Sequence, residues 1–135
     1  MAKERNPFAR TRLDHQTEVA EDYVELIYRL GQPEPGGPVR TVDLVHALAV
    51  SQPTVTKALD RLQREGLVTV IPRQSVALTT AGIALAQASH DRHELILEFL
   101  VAIGVPKAQA ELDTEGIEHH VSSATLEAFR KFLEK

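Results

Sequence analysis

Toward its C-terminus the chain reads Asp113-Thr-Glu-Gly-Ile-Glu-His-His120, and three of these residues could share one chemical task. On a helix, Glu115, Glu118 and His119 fall at i, i+3 and i+4, on one face, with Cβ atoms about 5–6 Å apart. Two carboxylates so placed repel one another, and with an imidazole beside them they hydrate poorly unless a cation lies between them. A divalent ion would suit the triplet. An acidic, solvated helix face would give the same pattern. His120 is turned about 100° away and is expected at the surface or behind the ligand face.

A second segment, Ser51-Gln-Pro-Thr-Val-Thr-Lys-Ala-Leu-Asp-Arg-Leu-Gln-Arg-Glu-Gly-Leu-Val68, carries a different chemistry. Ser51 reads as an N-cap with Pro53 in the first turn, where a missing N–H does no harm. Small hydroxyls and an amide at Ser51, Gln52, Thr54 and Thr56, together with Pro53, can enter a major groove and touch base edges or thymine methyls. Lys57, Arg61 and Arg64 are spaced to reach phosphates. Read blandly, the same residues start a helix and solvate its outer face.

The elements that must position these residues follow from periodicity. Residues 1–13 are polar, basic and aperiodic, and read as a flexible arm that could add phosphate contacts through Lys3, Arg5, Arg10 and Arg12. Val19, Tyr23, Leu26, Ile27 and Leu30 recur at helical spacing from Asp14 to a stop at Gly31. A Pro- and Gly-rich loop to Pro38 precedes a helix through Val42, Val45, Leu48 and Ala49. The Ser51 helix buries Val55, Leu59 and Leu62 and ends near Gly66. Leu67–Ile71 and Ser75–Leu78 then form a hairpin, with Arg73 in its turn. Thr79 or Thr80 caps a long helix running to about Ile103. A short helix begins at Pro106, an acidic one at Asp113 or Thr114, and a last one is capped by Ser122 or Ser123. Helix, turn, capped helix and hairpin are the order of a winged helix-turn-helix. The fold class expected is mainly α: a winged helix-turn-helix over 14–79, then a helical metal-binding and dimerisation domain over 80–135.

Composition narrows the function. Cysteine is absent, so disulfides, zinc knuckles and thiol catalysis are excluded. Aromatic content of 4% without Trp speaks against stacking platforms for single strands. No run of eighteen apolar residues and no secretory signal occur, so the protein is expected to be cytoplasmic, without membrane or small-molecule substrate. The net charge of −4 lies wholly in residues 81–135. Residues 40–75 carry an excess of positive charge through Arg40, Lys57, Arg61, Arg64 and Arg73 over Asp43, Asp60 and Glu65. A locally basic surface can bind DNA in an acidic protein.

Four separated motifs resemble the manganese-responsive branch of the diphtheria toxin repressor family: Ala20-Glu-Asp-Tyr-Val-Glu-Leu-Ile-Tyr28, Ser51-Gln-Pro-Thr-Val-Thr-Lys57, Arg92-His93-Glu94 and Glu115-Gly-Ile-Glu-His-His-Val-Ser122. The likeness spans roughly residues 14–133 and stops where longer members add an SH3-like third domain, for which this chain is too short. It implies metal ligands at Asp22, Glu25, His93, Glu115, Glu118 and His119. Glu21 is expected to be solvated, and Glu94, next to His93, to bind an outer water. The donors are hard oxygens and imidazoles, which suits Mn2+. The iron-responsive branch resembles this chain less, since it carries Met and Cys where Asp22 and Glu115 stand. Two ions bridged by Glu115 or Glu118 fit the number of donors. The hairpin departs from the family's aromatic-Arg-Gly turn, having Pro72-Arg73-Gln74 instead.

The resemblance implies a repressor that binds operator DNA as a homodimer when Mn2+ is bound and controls metal transport genes. Metal would join the first helix to the dimerising helices and set the recognition helices one DNA turn apart, ~34 Å. Leu97, Leu100, Val101, Leu126, Phe129 and Leu133 are the apolar positions expected to make the dimer. The same fold sensing Fe2+ or another divalent metal is the first alternative, and a winged-helix regulator with an organic effector the second. A metalloenzyme lacks support, because neither H-E-x-x-H nor the paired E-x-x-H of di-iron bundles occurs.

Overall fold

The computed structural model describes residues 7–71 and 75–135, with side chains from Gln16 onward. They form α1 (Pro7–Leu30), β1 (Val39–Arg40), α2 (Thr41–Leu48), α3 (Gln52–Arg64), β2 (Val68–Ile71), β3 (Ser75–Leu78), α4 (Thr80–Ala102), α5 (Lys107–Ile117) and α6 (Ser123–Leu133). The chain divides into two compact units, Val19–Gln87 and Ala88–Lys135 together with the residues up to Glu18.

In the Val19–Gln87 unit the core is apolar. Val24, Ile27, Leu44, Val55 and Val76 have no exposed surface, and Leu59, Leu62 and Val68 nearly none. Each such side chain contributes roughly 1.5–3 kcal/mol on burial, so α3 is fixed by its inner stripe and leaves its outer face free for function. β2 and β3 form the expected hairpin, pairing antiparallel with Val70 opposite Val76. A third strand was not expected. β1 adds to the other edge of β3, Val39 opposite Val76, giving the order β1-β3-β2. Two residues are too few for an alternation signal, and Val39 earns its place only by being buried across the sheet.

Local chemistry explains the helix boundaries. The Ser51 hydroxyl accepts a hydrogen bond from Thr54 N–H at 3.3 Å, capping α3 as the sequence implies. Gly66, at φ +78, reverses the chain after α3. Thr79 then knots helix to hairpin: its hydroxyl donates to Gly66 O at 2.7 Å and accepts from Gly82 N–H at 3.1 Å. Gly82 itself sits so close that a Cβ there would meet Leu67 O at 2.1 Å.

Three expectations need correction. α1 starts at Pro7, not Asp14, so residues 7–13 of the supposed arm are helical. Pro suits the first helical position, and Ala9, Arg10, Arg12 and Leu13 are strong helix formers, so an aperiodic stretch can still extend a helix. Glu21 is buried at 3% exposure rather than solvated, because α1 is covered around a wide arc that includes Ala20, Tyr23, Val24 and Ile27. Lastly, the short and acidic helices are one. α5 runs unbroken through Asp113 and Thr114, whose hydroxyl, fully buried, donates to Ala110 O at 2.7 Å. Thr114 thus braces a helix interior instead of opening a new helix.

The second unit is built on α4 from Ala88 on, α5 and α6. Gly104, at φ +105, ends the α4 run, and Ser122 caps α6 by accepting from Thr125 N–H at 3.1 Å. Phe99 of α4 stacks on Phe129 of α6, ring centroids 3.9 Å apart, with Phe132 edge-on at 5.4 Å. No residue of α6 is fully buried.

Candidate metal centre and nucleic-acid interface

In the second unit, α4 and the end of α5 bring four of the predicted ligands together. His93 Nδ1 lies 2.6 Å from Glu118 Oε2, at hydrogen-bond distance, and 4.0 Å from Glu115 Oε1. The other oxygen of the same carboxylate, Glu118 Oε1, is 3.2 Å from His119 Nε2. Ligand atoms of His93, Glu115 and Glu118 all fall within 4.8 Å of one another.

Position along α5 sets the burial of each. Glu118 is the C-cap residue, still with helical dihedrals, and Ile117 O accepts from His120 N–H at 2.9 Å as the chain turns out of the helix. Glu118 and the His119 side chain are each 2% exposed, whereas Glu115, nearly a turn earlier, is 70% exposed. Burial is the dominant influence on Glu118 and pushes its carboxyl pKa upward; the His93 hydrogen bond opposes this, and repulsion from Glu115 adds to it. Burial also lowers the Arg92 pKa, against the attraction of Glu118. A buried carboxylate held between two imidazoles, with a second carboxylate beside it, fits a divalent cation of the oxygen- and nitrogen-binding kind. The donor set satisfies that chemistry without sulfur.

The remaining predicted ligands, Asp22 and Glu25, stand at i, i+3 on α1 in the Val19–Gln87 unit; Asp22 is exposed and Glu25 half-buried. His120 pairs with Glu18 at 3.5 Å, both part-exposed. Glu18 had not been singled out, although it also places a carboxylate oxygen within 4.8 Å of a His119 ring nitrogen. The sequence held a signal for it: Glu18, Asp22 and Glu25 form an acidic stripe at i, i+4 and i+7 on α1.

The predicted DNA face lies on α3. Ser51, Gln52, Pro53, Thr54, Thr56, Lys57 and Arg64 are exposed and Arg61 half-buried, while Val55, Leu59 and Leu62 face inward. The Ser51 hydroxyl lies 2.8 Å from that of Thr54, so it is engaged in capping as well as facing outward. Arg61 pairs with Glu65 at 2.9 Å and Arg64 with Asp60 at 3.3 Å. Exposed pairs of this kind are weak and exchange readily for a phosphate partner. Arg73 lies outside the described residues. No helix among the described residues is long and apolar enough to cross a membrane.

The comparisons divide the chain in the same order. Residues 15–76 match the iron dependent repressor N-terminal DNA binding domain. Residues 79–135 match the metal binding and dimerisation domain of the iron dependent repressors. The transcriptional regulator MntR of Escherichia coli O157:H7 is 47% identical over 128 residues, 95% of this chain and 81% of that protein. The HTH-type transcriptional regulator MntR of Bacillus subtilis is 38% identical over 102 residues, 76% of this chain and 70% of that protein. Among solved structures, the manganese regulator SloR superposes with a TM-score of 0.69 at 30% identity, over 85% of this chain and 53% of its own. A manganese-dependent transcriptional repressor in complex with manganese gives 0.70 at 29%, over 85% and 52%. The chain spans about half the length of these solved regulators. The family models cover both halves, and the Escherichia coli relative 95% of the chain, so the chain belongs to the iron dependent repressor family of metal-dependent transcription regulators, the family its motifs resemble.

Proposed function

We propose that the protein is a cytoplasmic, manganese-responsive repressor rather than an enzyme, binding operator DNA as a homodimer and controlling metal transport genes. The observation that carries this reading is the Glu118 carboxylate, 2% exposed, with one oxygen toward His93 and the other toward His119. Such a group is costly to ionise without a compensating charge. When bound, the cation supplies that charge. The six residues Asp22, Glu25, His93, Glu115, Glu118 and His119 are the proposed ligands and would hold the cation, with Glu118 facing both histidines. The names of the relatives favour Mn2+ over Fe2+.

In the cation-free protein, Glu115 and Glu118 repel across the end of α5, and Asp22 and Glu25 add negative charge on α1. Once these charges are neutralised, α1, which supports the α3 unit through Val24 and Ile27, is tied to the dimerising helices. The recognition helices of the two subunits then take a spacing near one DNA turn, ~34 Å. The DNA-competent state binds the cation better, so its population rises with metal. Phe132, Val101 and Ile103, 47%, 44% and 50% exposed, provide apolar surface for the dimer, beside half-buried Leu97, Leu100, Leu126, Phe129 and Leu133.

The test is binding to the promoter of the cognate metal transporter gene, measured by fluorescence anisotropy with and without Mn2+, with Mg2+ as control. Tighter binding with Mn2+ alone is expected. Affinity indifferent to Mn2+ rules the reading out.

A further inference from the structure

One carboxylate outside the predicted ligand set reaches the histidines at the end of α5. Glu18, near the middle of α1, reaches His120 at 3.5 Å and sets an oxygen within 4.8 Å of a His119 ring nitrogen. Two atoms bound to one cation at about 2.0–2.2 Å stand at most about 4.4 Å apart. Glu18 and His119 therefore need to close by only a fraction of an ångström to share an ion. The His119 side chain is 2% exposed, and Glu118 Oε1 stands 3.2 Å from its Nε2. The donors of this unit thus separate into two neighbouring sets, His93 with Glu115 and Glu118 Oε2, and His119 with Glu18 and Glu118 Oε1. The first set has two carboxylates. Within this unit, the second has only a share of Glu118 unless Glu18 joins it.

We propose that Glu18 is a direct cation ligand that shares an ion with His119, adding a seventh residue to the metal centre. This rests on the manganese reading above. Glu18 also lies one helical turn before Asp22 on α1, so both carboxylates present the same face of that helix. The pairing with His120 is then what holds Glu18 in place before the ion arrives.

The experiment is titration of the full chain with Mn2+, followed by calorimetry and by the paramagnetic resonance signal of free Mn2+, comparing wild type with Glu18→Gln and His120→Ala. Wild type should bind Mn2+, and Glu18→Gln should weaken the affinity tenfold or more, or remove one bound ion, with an unchanged thermal transition in the absence of metal. His120→Ala should keep the wild-type stoichiometry and affinity within about threefold. Full Mn2+ binding by Glu18→Gln overturns the role of Glu18 and leaves the manganese reading standing. A loss of equal size in His120→Ala overturns direct ligation, since Glu18 would then act through His120. Wild type that binds no Mn2+ removes both.

Discussion

Replacing Glu118 with Gln separates a carboxylate kept for a cation from one kept for the fold. The two side chains are nearly isosteric, and a Gln amide can still meet His93 Nδ1, now 2.6 Å from the carboxylate. In the cation-free protein the charge on Glu118 is disfavoured chiefly by burial. Its folded pKa lies above the unfolded value near 4.5, so the folded form binds the extra proton between the two. Stability from this group therefore rises as pH falls through the folded pKa toward 4.5, and the penalty is fully present above the folded pKa. Glu118→Gln removes the penalty. At neutral pH without metal the variant should melt at or slightly above the wild-type temperature, with a change of about 1 kcal/mol or less, and should lose the acid-side gain. With Mn2+ the outcome reverses. Loss of a charged donor facing both His93 and His119 should weaken Mn2+ by about 10–100-fold or more, about 1.4–2.7 kcal/mol at least. Thermal melts from pH 4.5 to 8 with and without Mn2+, with calorimetric titration, read both arms. A variant strongly destabilised without metal yet binding Mn2+ normally would show that Glu118 serves the fold alone.

Other perturbations test the scaffold and the DNA face. Ser51→Ala removes the cap accepted from Thr54 N–H and should cost about 1 kcal/mol in urea denaturation; a neutral result would mean that the cap contributes nothing to stability. Lys57→Ala should weaken operator binding and reduce the salt-dependence slope by about 1, read by anisotropy over a NaCl series, and an unchanged slope would take Lys57 off the phosphates. Gly82→Ala drives a Cβ to within 2.1 Å of Leu67 O; thermal denaturation should register a loss of at least 1–3 kcal/mol, the usual scale of overpacking, and a wild-type melting temperature would refute that close approach.

What could be read from the chain before the structure was mostly local chemistry. Ser51 and Ser122 cap because a hydroxyl three residues before a free N–H needs nothing distant. Gly66 and Gly104 close helices because their backbones adopt positive φ. Val55, Leu59 and Leu62 face inward because their spacing matches the helical period. The misses came where distant contacts decide. β1 exists only because β3 offers an edge, and Thr114 could as easily have capped a helix as bonded back to Ala110 O. Among the predicted metal ligands, the motifs led to His93, Glu115, Glu118 and His119, which the structure brings together in one unit. Motif spacing did not foretell that burial would fall on Glu118 and spare Glu115, because that depends on where α5 ends. Glu18 escaped notice because its neighbours, His119 and His120, are a hundred residues away.

The last helix has a consequence for how the protein lives in a dilute cell. α6 contains no fully buried residue, and it meets Phe99 of α4 through Phe129 and Phe132. With Phe132 still 47% exposed, a second surface laid over α6 would add to its stability. Folding of this end is then subject to mass action. Its melting temperature should climb with protein concentration, and at low concentration a fraction of chains would have a frayed C-terminus, open to proteases.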